Sequence, residues 1–306
     1  MRFEAKVMHH LNWNGMYGFW LVARSGSFAE AARRLPSTTA QALHKRVRQL
    51  EWEQGLHLKL LRSRGVKGIE LTEAGQRLLE LVDPMFGGLS ALTADLRKED
   101  AGPMSLAATG FVANNYLPQV MKEFRRTYPS VVVSIRVQSE SDVIAAACSG
   151  EVDLGIGALA GNQDGLTVAA RAPLAIRLVG PVPFQWGGTR MTWSEVLRYP
   201  LVVHDRVSVL RVGLEQLLNR RSLLGKLTIA AEVTTPELVL EMVRAGFGVG
   251  LIPLGPRLAQ SVKDMPLAAP PEGLPRIDIA VFHKRHRYLS RYMKALVDTV
   301  AQAIAE

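Results

Sequence analysis

Hydrophobic residues in the first quarter of the chain repeat at helical spacing in several short runs. Apolar residues at 16–23 predict a first helix, which "SGS" ends. The Ala-rich run at 28–35 predicts a second helix, because Ser27 and Glu30 have capping-box spacing. The segment at 39–54 predicts a third helix, whose apolar stripe consists of Ala42, Leu43, Val47 and Leu50.

The segment "LKLLRSRGVKGIELT" predicts two short strands around a basic turn. A helix pair followed by a hairpin is the pattern of a winged helix-turn-helix, whose second helix enters the major groove while the hairpin lies along the phosphates. We therefore predict DNA contacts from the helices and their turns at Ser27, Thr38, Thr39, Gln41, His44, Lys45, Arg46 and Arg48, and from the wing at Arg62, Arg64 and Lys67.

Charge is distributed unevenly, and this bears on the alternative interpretation. A helical hairpin with a solvated outer face, or a surface for a coiled-coil partner, would show the same spacing. Residues 1–71, however, hold 12 Lys and Arg against 5 Asp and Glu, although the whole chain has a net charge of only +9. A basic first quarter on a nearly neutral remainder favours a polyanion-binding module.

A long helix is predicted from Thr72 onwards, where "LTEAG" supplies its start. Pro84 and the adjacent glycines Gly87 and Gly88 should kink or weaken it. Its apolar surface is too large for a monomer to expose, and this predicts a homodimer. The apolar residues concerned are Leu78, Leu79, Leu81, Val82, Met85, Leu89, Leu92 and Leu96.

After a linker at 100–103, strand and helix patterns alternate to the end of the chain, which predicts an α/β domain with mostly parallel sheet. Cys148 is the single cysteine, so the chain can build neither a disulfide nor a Cys-rich zinc site, and a reducing cytoplasm fits. No apolar run is long enough for a transmembrane helix. The apolar patch near the N-terminus is interrupted by Arg24, which argues against a signal peptide.

Enzyme functions find little support in the sequence. It contains no Walker loop, dinucleotide fingerprint or G-x-S-x-G motif, and His204 and Asp205 are adjacent, which does not suit a catalytic triad. The histidine pairs at 9–10 and 283/286 have no acidic or Cys partners nearby. We therefore expect no enzymatic activity, no metal and no cofactor.

The residues "SGSFAEAARRL", "ALHKRVRQLEWEQGLHLKLLRSRGVKGIELTEAG" and the later "SGEVDLGIG" and "LVLEMVRAGFGVGLIP" resemble LysR-type transcriptional regulators over nearly the whole chain. The turn "PSTT" holds one more residue than is usual in that family. Ala40 and His44 occupy positions where Gln and Ser are common. The resemblance therefore implies DNA binding with an altered base preference.

This resemblance implies a winged helix-turn-helix domain at 1–71, a linker helix and hinge at 72–102, and an α/β effector domain at 103–306 that resembles periplasmic binding proteins. Its subdomain I would comprise about 103–175 and 277–306, and its subdomain II about 176–276. A homotetramer built as a dimer of dimers, and recruitment of RNA polymerase, are further implications.

A small-molecule effector is expected between the two subdomains, where strand ends and helix starts meet. This setting favours a polar, anionic ligand, although uncharged ligands also fit. Ser and Thr at such positions are also ordinary helix caps, and a solute-binding protein with a basic N-terminal extension is the competing function. Thr109 matches a position that many family members use for the effector. The full set of candidate contacts is Thr109, Gly110, Phe111, Ser139, Ser141, His204, Asp205, Thr234 and Thr235.

Overall fold

The structure is a computed structural model that describes residues 13–33, 35, 38–53, 56–63, 68–97, 100–159, 161, 163–186 and 191–305. The chain divides after Arg97 into two compact units. Each unit has its own buried apolar core.

The first unit consists of helices with one β-hairpin. Its elements are α1 (Trp13–Ser25), α2 (Phe28–Arg33), α3 (Ala40–Arg48), a π-helical turn (Gln49–Glu53), β1 (Leu61–Ser63), β2 (Ile69–Leu71) and α4 (Glu73–Leu96). Strands β1 and β2 pair antiparallel, with Leu61 opposite Leu71. Phe19, Leu43 and Leu50 are fully buried between the helices, so the predicted apolar stripe of the third helix does face the core.

The long helix α4 runs without a break through Pro84, so the structure shows no interruption where the sequence predicted a weakened helix. Thr72 caps it by accepting a hydrogen bond from the Gly75 N–H at 3.0 Å. Asp83, on the same helix, accepts a hydrogen bond from the Trp20 indole N–H at 2.9 Å. These contacts fix the first half of α4 to the winged helix-turn-helix.

The second unit begins with one half of a two-sheet α/β arrangement. Its elements up to the first chain crossing are β3 (Ala101–Ala108), α5 (Gly110–Asn115), α6 (Leu117–Thr127), β4 (Ser130–Val137), α7 (Glu140–Ser149), β5 (Leu154–Leu159) and β6 (Leu166–Pro173). Helices α5 and α6 meet at Tyr116.

A second sheet follows, and the chain then returns to the first. The remaining elements are β7 (Ile176–Val179), α8 (Trp193–Val196), β8 (Leu201–His204), α9 (Val209–Arg220), a 3₁₀ turn (Leu224–Lys226), β9 (Ile229–Val233), α10 (Pro236–Arg244), β10 (Val249–Pro253), α11 (Pro256–Ser261), β11 (Leu267–Ala268), β12 (Asp278–Lys284) and α12 (Arg291–Ala305).

The strand orders are β4-β3-β5-β12-β6 in the first sheet and β11-β7-β10-β8-β9 in the second. The prediction of mostly parallel sheet is wrong, because parallel pairs join only β4-β3-β5 and β10-β8-β9. The strands β6, β7, β11 and β12 pair antiparallel. The chain passes from the first sheet to the second between β6 and β7, and it returns at β12. On its return, β12 inserts between β5 and β6 and runs antiparallel to both.

Candidate DNA-binding surface and effector cavity

Helix α3 presents a polar outer face. Thr39 begins it by accepting a hydrogen bond from the Ala42 N–H at 3.1 Å. Leu43 and Val47 are buried, and this fixes the rotation of the helix about its own axis. The side chains left exposed are those of Gln41, His44, Lys45 and Arg48, all predicted DNA contacts.

Two of the predicted α3 contacts have additional packing roles. Arg46 is half-buried, and its Cβ would lie 3.5 Å from a methyl group added to Gly18, so its stem lies along α1. The His44 ring stacks on the Phe28 ring with 3.6 Å between centroids and an interplanar angle of 14°. Gln41, Lys45 and Arg48 are therefore the less restrained groups of this face.

The predicted contacts outside α3 are less uniform. Ser27 caps α2 by accepting a hydrogen bond from the Glu30 N–H at 3.1 Å. Thr38 is half-buried, and its backbone N–H donates to the Leu35 carbonyl at 3.2 Å. Arg62 is exposed on β1. The predicted contacts Arg64 and Lys67 lie outside the described residues.

A buried carboxylate that no sequence pattern predicted holds the wing in place. Glu51 is 8% exposed and accepts hydrogen bonds from the backbone N–H groups of Leu60 at 2.7 Å and Leu61 at 3.1 Å. At the other end of the hairpin, the Ile69 N–H donates to the Gly26 carbonyl at 3.2 Å. The wing is thus tied both to the end of the recognition helix and to the turn before α2. The one sequence feature that could have indicated this role is the position of Glu51 directly after the apolar Leu50.

A cavity of about 380 Å³ lies in the second unit, where the carboxyl ends of β3, β4, β8 and β9 meet the starts of α5, α7, α9 and α10. Residues of both sheets line it, and they include eight of the nine predicted effector contacts. Its polar lining consists of Thr109, Gln138, Ser139, Glu140, His204, Asp205, Ser208, Thr234 and Thr235.

The candidate contacts differ in what they already bond. Ser139 caps α7 and Thr235 caps α10, through the N–H groups of Asp142 and Leu238 at 3.3 Å each. Thr109 precedes α5 and, within the described chain, makes no side-chain capping bond. Ser141 is exposed and is not among the described lining residues; its hydroxyl lies 3.1 Å from that of Ser139. Capping therefore accounts for Ser139 and Thr235 but not for Thr109.

His204 is the most deeply buried titratable group of the cavity. Burial lowers its pKa to about 4, although Asp205, Glu237 and a backbone hydrogen bond at Leu251 act in the opposite direction. The ring is therefore neutral near pH 7. Its Nε2 atom is buried without a hydrogen-bond partner in the described part of the chain.

Glu140 lines the cavity but is not among the predicted effector contacts. Burial raises its pKa to about 7; the hydrogen bond from the Val209 N–H opposes this shift, and the charge of Asp205 adds to it. That N–H donates to Oε2 at 2.7 Å, and it joins the start of α7 in the first subdomain to the start of α9 in the second. An acidic side chain in the first turn of a helix is so common that position alone did not single it out.

Other hydrogen bonds cross between the same two subdomains. Asn115 Oδ1 accepts from the Leu258 N–H at 2.9 Å, and Asn114 Nδ2 donates to Glu237 Oε1 at 3.2 Å. Glu140 therefore belongs to a small set of polar bridges that hold the two walls of the cavity in this arrangement.

The described residues provide neither a membrane-spanning helix nor a metal site. None of the helices there is long and apolar enough to cross a membrane. No group of three or more His, Cys, Asp or Glu side chains there could hold a metal ion.

A basic winged helix-turn-helix joined to a two-sheet domain with a ligand-sized cavity defines the class of small-molecule-responsive transcriptional regulators. Comparison with family models makes this specific: residues 13–76 match the bacterial regulatory helix-turn-helix protein, lysR family, and residues 97–305 match the LysR substrate binding domain. The chain belongs to the LysR-type transcriptional regulators, whose DNA binding is modulated by a small-molecule effector.

Individual relatives agree with this assignment. The HTH-type transcriptional regulator CysB of Haemophilus influenzae is 26% identical over 262 residues, which are 80% of this chain and 75% of that protein. A full-length OxyR from Pseudomonas aeruginosa has the same fold, with a TM-score of 0.69 at 16% identity over 97% of this chain and 100% of that one. CbnR in complex with its target DNA matches with a TM-score of 0.52 at 19% identity over 96% of this chain and 99% of that one.

Proposed function

We propose that the exposed face of α3 reads the major groove through Gln41, Lys45 and Arg48, and that Arg62 contacts the phosphates from the wing. The observation that carries this proposal is the rotation of α3, because burial of Leu43 and Val47 turns these polar side chains outwards. Gln can pair with adenine, and Arg and Lys can bind guanine or phosphate. The stacked His44 and the small Ala40 give this chain a base preference different from that of relatives with Ser and Gln there.

DNA binding by the variant Lys45→Ala/Arg48→Ala tests the proposal, with the region upstream of the protein's own gene and a mixed-sequence duplex as probes. We expect affinity for both to fall at least about tenfold, with a shallower dependence on salt, because two phosphate-neutralising or base-reading cations are lost. The variant Arg125→Ala/Arg126→Ala removes the same charge from exposed positions of α6 and should bind like the parent. Equal binding by both variants and the parent would overturn the assignment of α3.

We further propose that the chain forms a homodimer through α4, and dimers of dimers on DNA. Leu78, Leu79 and Val82 pack into the core of the first unit. A stripe at four- and three-residue spacing remains exposed, and Leu81 and Leu96 are each about three-quarters exposed within it. The stripe consists of Leu81, Met85, Leu89, Leu92 and Leu96. We propose that it is covered in the dimer, as large apolar patches usually are.

We propose that the effector binds in the cavity between the subdomains, with Thr109, Gly110, Phe111, His204, Asp205 and Thr234 as contacts. A ligand that favours one closure state of the two walls would shift the spacing of the paired DNA-binding units, and with it DNA bending and contact with RNA polymerase. We propose that the chain catalyses no reaction and that it acts in the cytoplasm, on chromosomal DNA.

A further inference from the structure

The charged side chains of the effector cavity suit a cationic ligand, whereas its helix starts led us to expect an anionic one. Within the described lining there is no Lys or Arg, whereas Glu140 and Asp205 are both present. An anion would therefore meet two carboxylates and no counter-ion. This inference rests on the proposed location of the effector and adds its chemical class.

The helix starts that favoured an anion are largely occupied. The Val209 N–H at the start of α9 donates to Glu140, and the Ser208 N–H donates to Asp205 at 3.1 Å. Pro236 is the first residue of α10 and has no N–H to offer. Helix α5 is short. The positive end of α9 is thus neutralised by the protein itself, and α10 offers one N–H donor fewer, so an anionic ligand gains little from either helix.

The remaining polar groups include a ring nitrogen that lacks a hydrogen-bond partner among the described residues. The buried Nε2 of His204 has no partner in the described part of the chain, although the side chain is only 7% exposed and lines the cavity. A buried polar atom without a partner is costly unless a ligand or water satisfies it. The charges that act on His204 are those of Asp205 and Glu237, both acidic. A hydrogen-bond donor with a positive charge meets all of these groups favourably.

The rest of the wall is apolar. Most of the cavity surface away from Glu140 and His204 consists of aliphatic and proline side chains and one aromatic ring. They include Phe111, Val137, Ala158, Leu174, Leu210 and Ile279. A volume of about 380 Å³ suits an apolar body of modest size.

We propose that the effector is a small apolar amine, bound with its ammonium group between Glu140, Asp205 and His204 Nε2 and its apolar body against the aliphatic wall. Neither an organic acid nor an inorganic anion fits this arrangement as well, because each would bring a further negative charge next to the two carboxylates.

Two matched sets of probes test the proposal on the full-length protein. One set is 2-naphthylmethylamine, 2-naphthylmethanol and 2-naphthoate, and the other is cyclohexylmethylamine, cyclohexylmethanol and cyclohexanecarboxylate. Affinities are measured by ligand-observed NMR up to the solubility limit of each probe. We expect the amine to bind most tightly in both sets and the carboxylate least. A set in which the amine is not the tightest binder, including one in which nothing binds, overturns the proposal.

Two variants test whether the acidic side chains of the cavity cause the preference for amine over carboxylate probes. Glu140→Gln/Asp205→Asn keeps both backbone hydrogen-bond acceptors but removes the charges, and should lower the preference for amine over carboxylate at least about tenfold. Glu123→Gln/Asp298→Asn changes the charge equally at exposed positions outside the cavity and should leave the preference unchanged. A preference that survives in the first variant overturns the role of the carboxylates.

Ala158→Phe separates failure of this inference from failure of the proposed effector site. The added ring fills part of the cavity, and thermal unfolding checks that the variant is folded. Loss of amine binding in this variant supports both proposals. If the carboxylate binds best to the parent and loses its binding in Ala158→Phe, only the proposed charge of the ligand is overturned. If Ala158→Phe leaves probe binding unchanged, the proposed location of the site is overturned.

Discussion

At the scale of single residues, burial shifts the pKa values of two cavity side chains in opposite directions, and each shift favours the neutral form. The pKa of His204 falls from 6.5 to about 4, so this residue favours the folded state above pH 6.5 and loses that contribution as the pH falls towards 4. The pKa of Glu140 rises from 4.5 to about 7, so its ionisation destabilises the folded state increasingly as the pH rises from 4.5 through 7. Between pH 4.5 and 6.5, the contribution of His204 to folding stability rises with pH while that of Glu140 falls.

Single substitutions should separate the contributions of His204 and Glu140 to the pH dependence of folding stability. His204→Asn removes the histidine titration, and the melting temperature of the effector unit should rise relative to the parent as the pH falls below 6.5. Glu140→Gln keeps an oxygen acceptor for Val209 but cannot ionise, and its melting temperature should rise relative to the parent as the pH increases towards 8. Each difference corresponds to a free energy on the order of 3 kcal/mol. Variants that follow the parent at every pH would show that neither group is perturbed.

At the scale of elements, periodicity located most helices and strands, including those that carry the site. The recognition helix was predictable because its apolar stripe must be buried. Strand β6 is harder to predict from the sequence, although it alternates buried and exposed positions, because Arg171 and several alanines weaken its apolar signal. The roles of Glu51 and Glu140 depend on partners 9 and 69 residues away, so no local pattern could reveal them.

The start of α4 gives an element-scale prediction. A methyl group on Gly75 would lie 2.2 Å from the Leu60 carbonyl oxygen, because the helix begins directly against the hairpin. Gly75→Ala should therefore lower the free energy of unfolding of the DNA-binding unit by about 1–3 kcal/mol. Within the described residues, a Cβ added to Gly87 in the same helix would meet no atom of a neighbouring element within 4 Å, and Gly87→Ala should stabilise the helix by up to about 1 kcal/mol. Thermal melts in which the two substitutions act alike would contradict this packing.

At the scale of the whole molecule, the exposed stripe of α4 predicts the assembly state. Leu81→Lys/Leu89→Lys places two charges in the apolar stripe and should convert the dimer to a monomer in sedimentation experiments. Gln76→Lys/Glu80→Gln makes the same change in charge on the opposite face of the helix and should leave the assembly intact. A dimer that persists in the first variant would exclude this stripe as its interface.

We expect that occupation of the cavity in the second unit alters the affinity of the first unit for DNA. The most direct measurement is the affinity and footprint of the full-length protein on its own upstream DNA, with and without saturating 2-naphthylmethylamine, in the parent and in Ala158→Phe. We expect the amine to change the DNA affinity of the parent about fivefold or more, or to move its footprint, and to have no effect on the variant. Identical DNA binding by the parent at zero and saturating probe would contradict it.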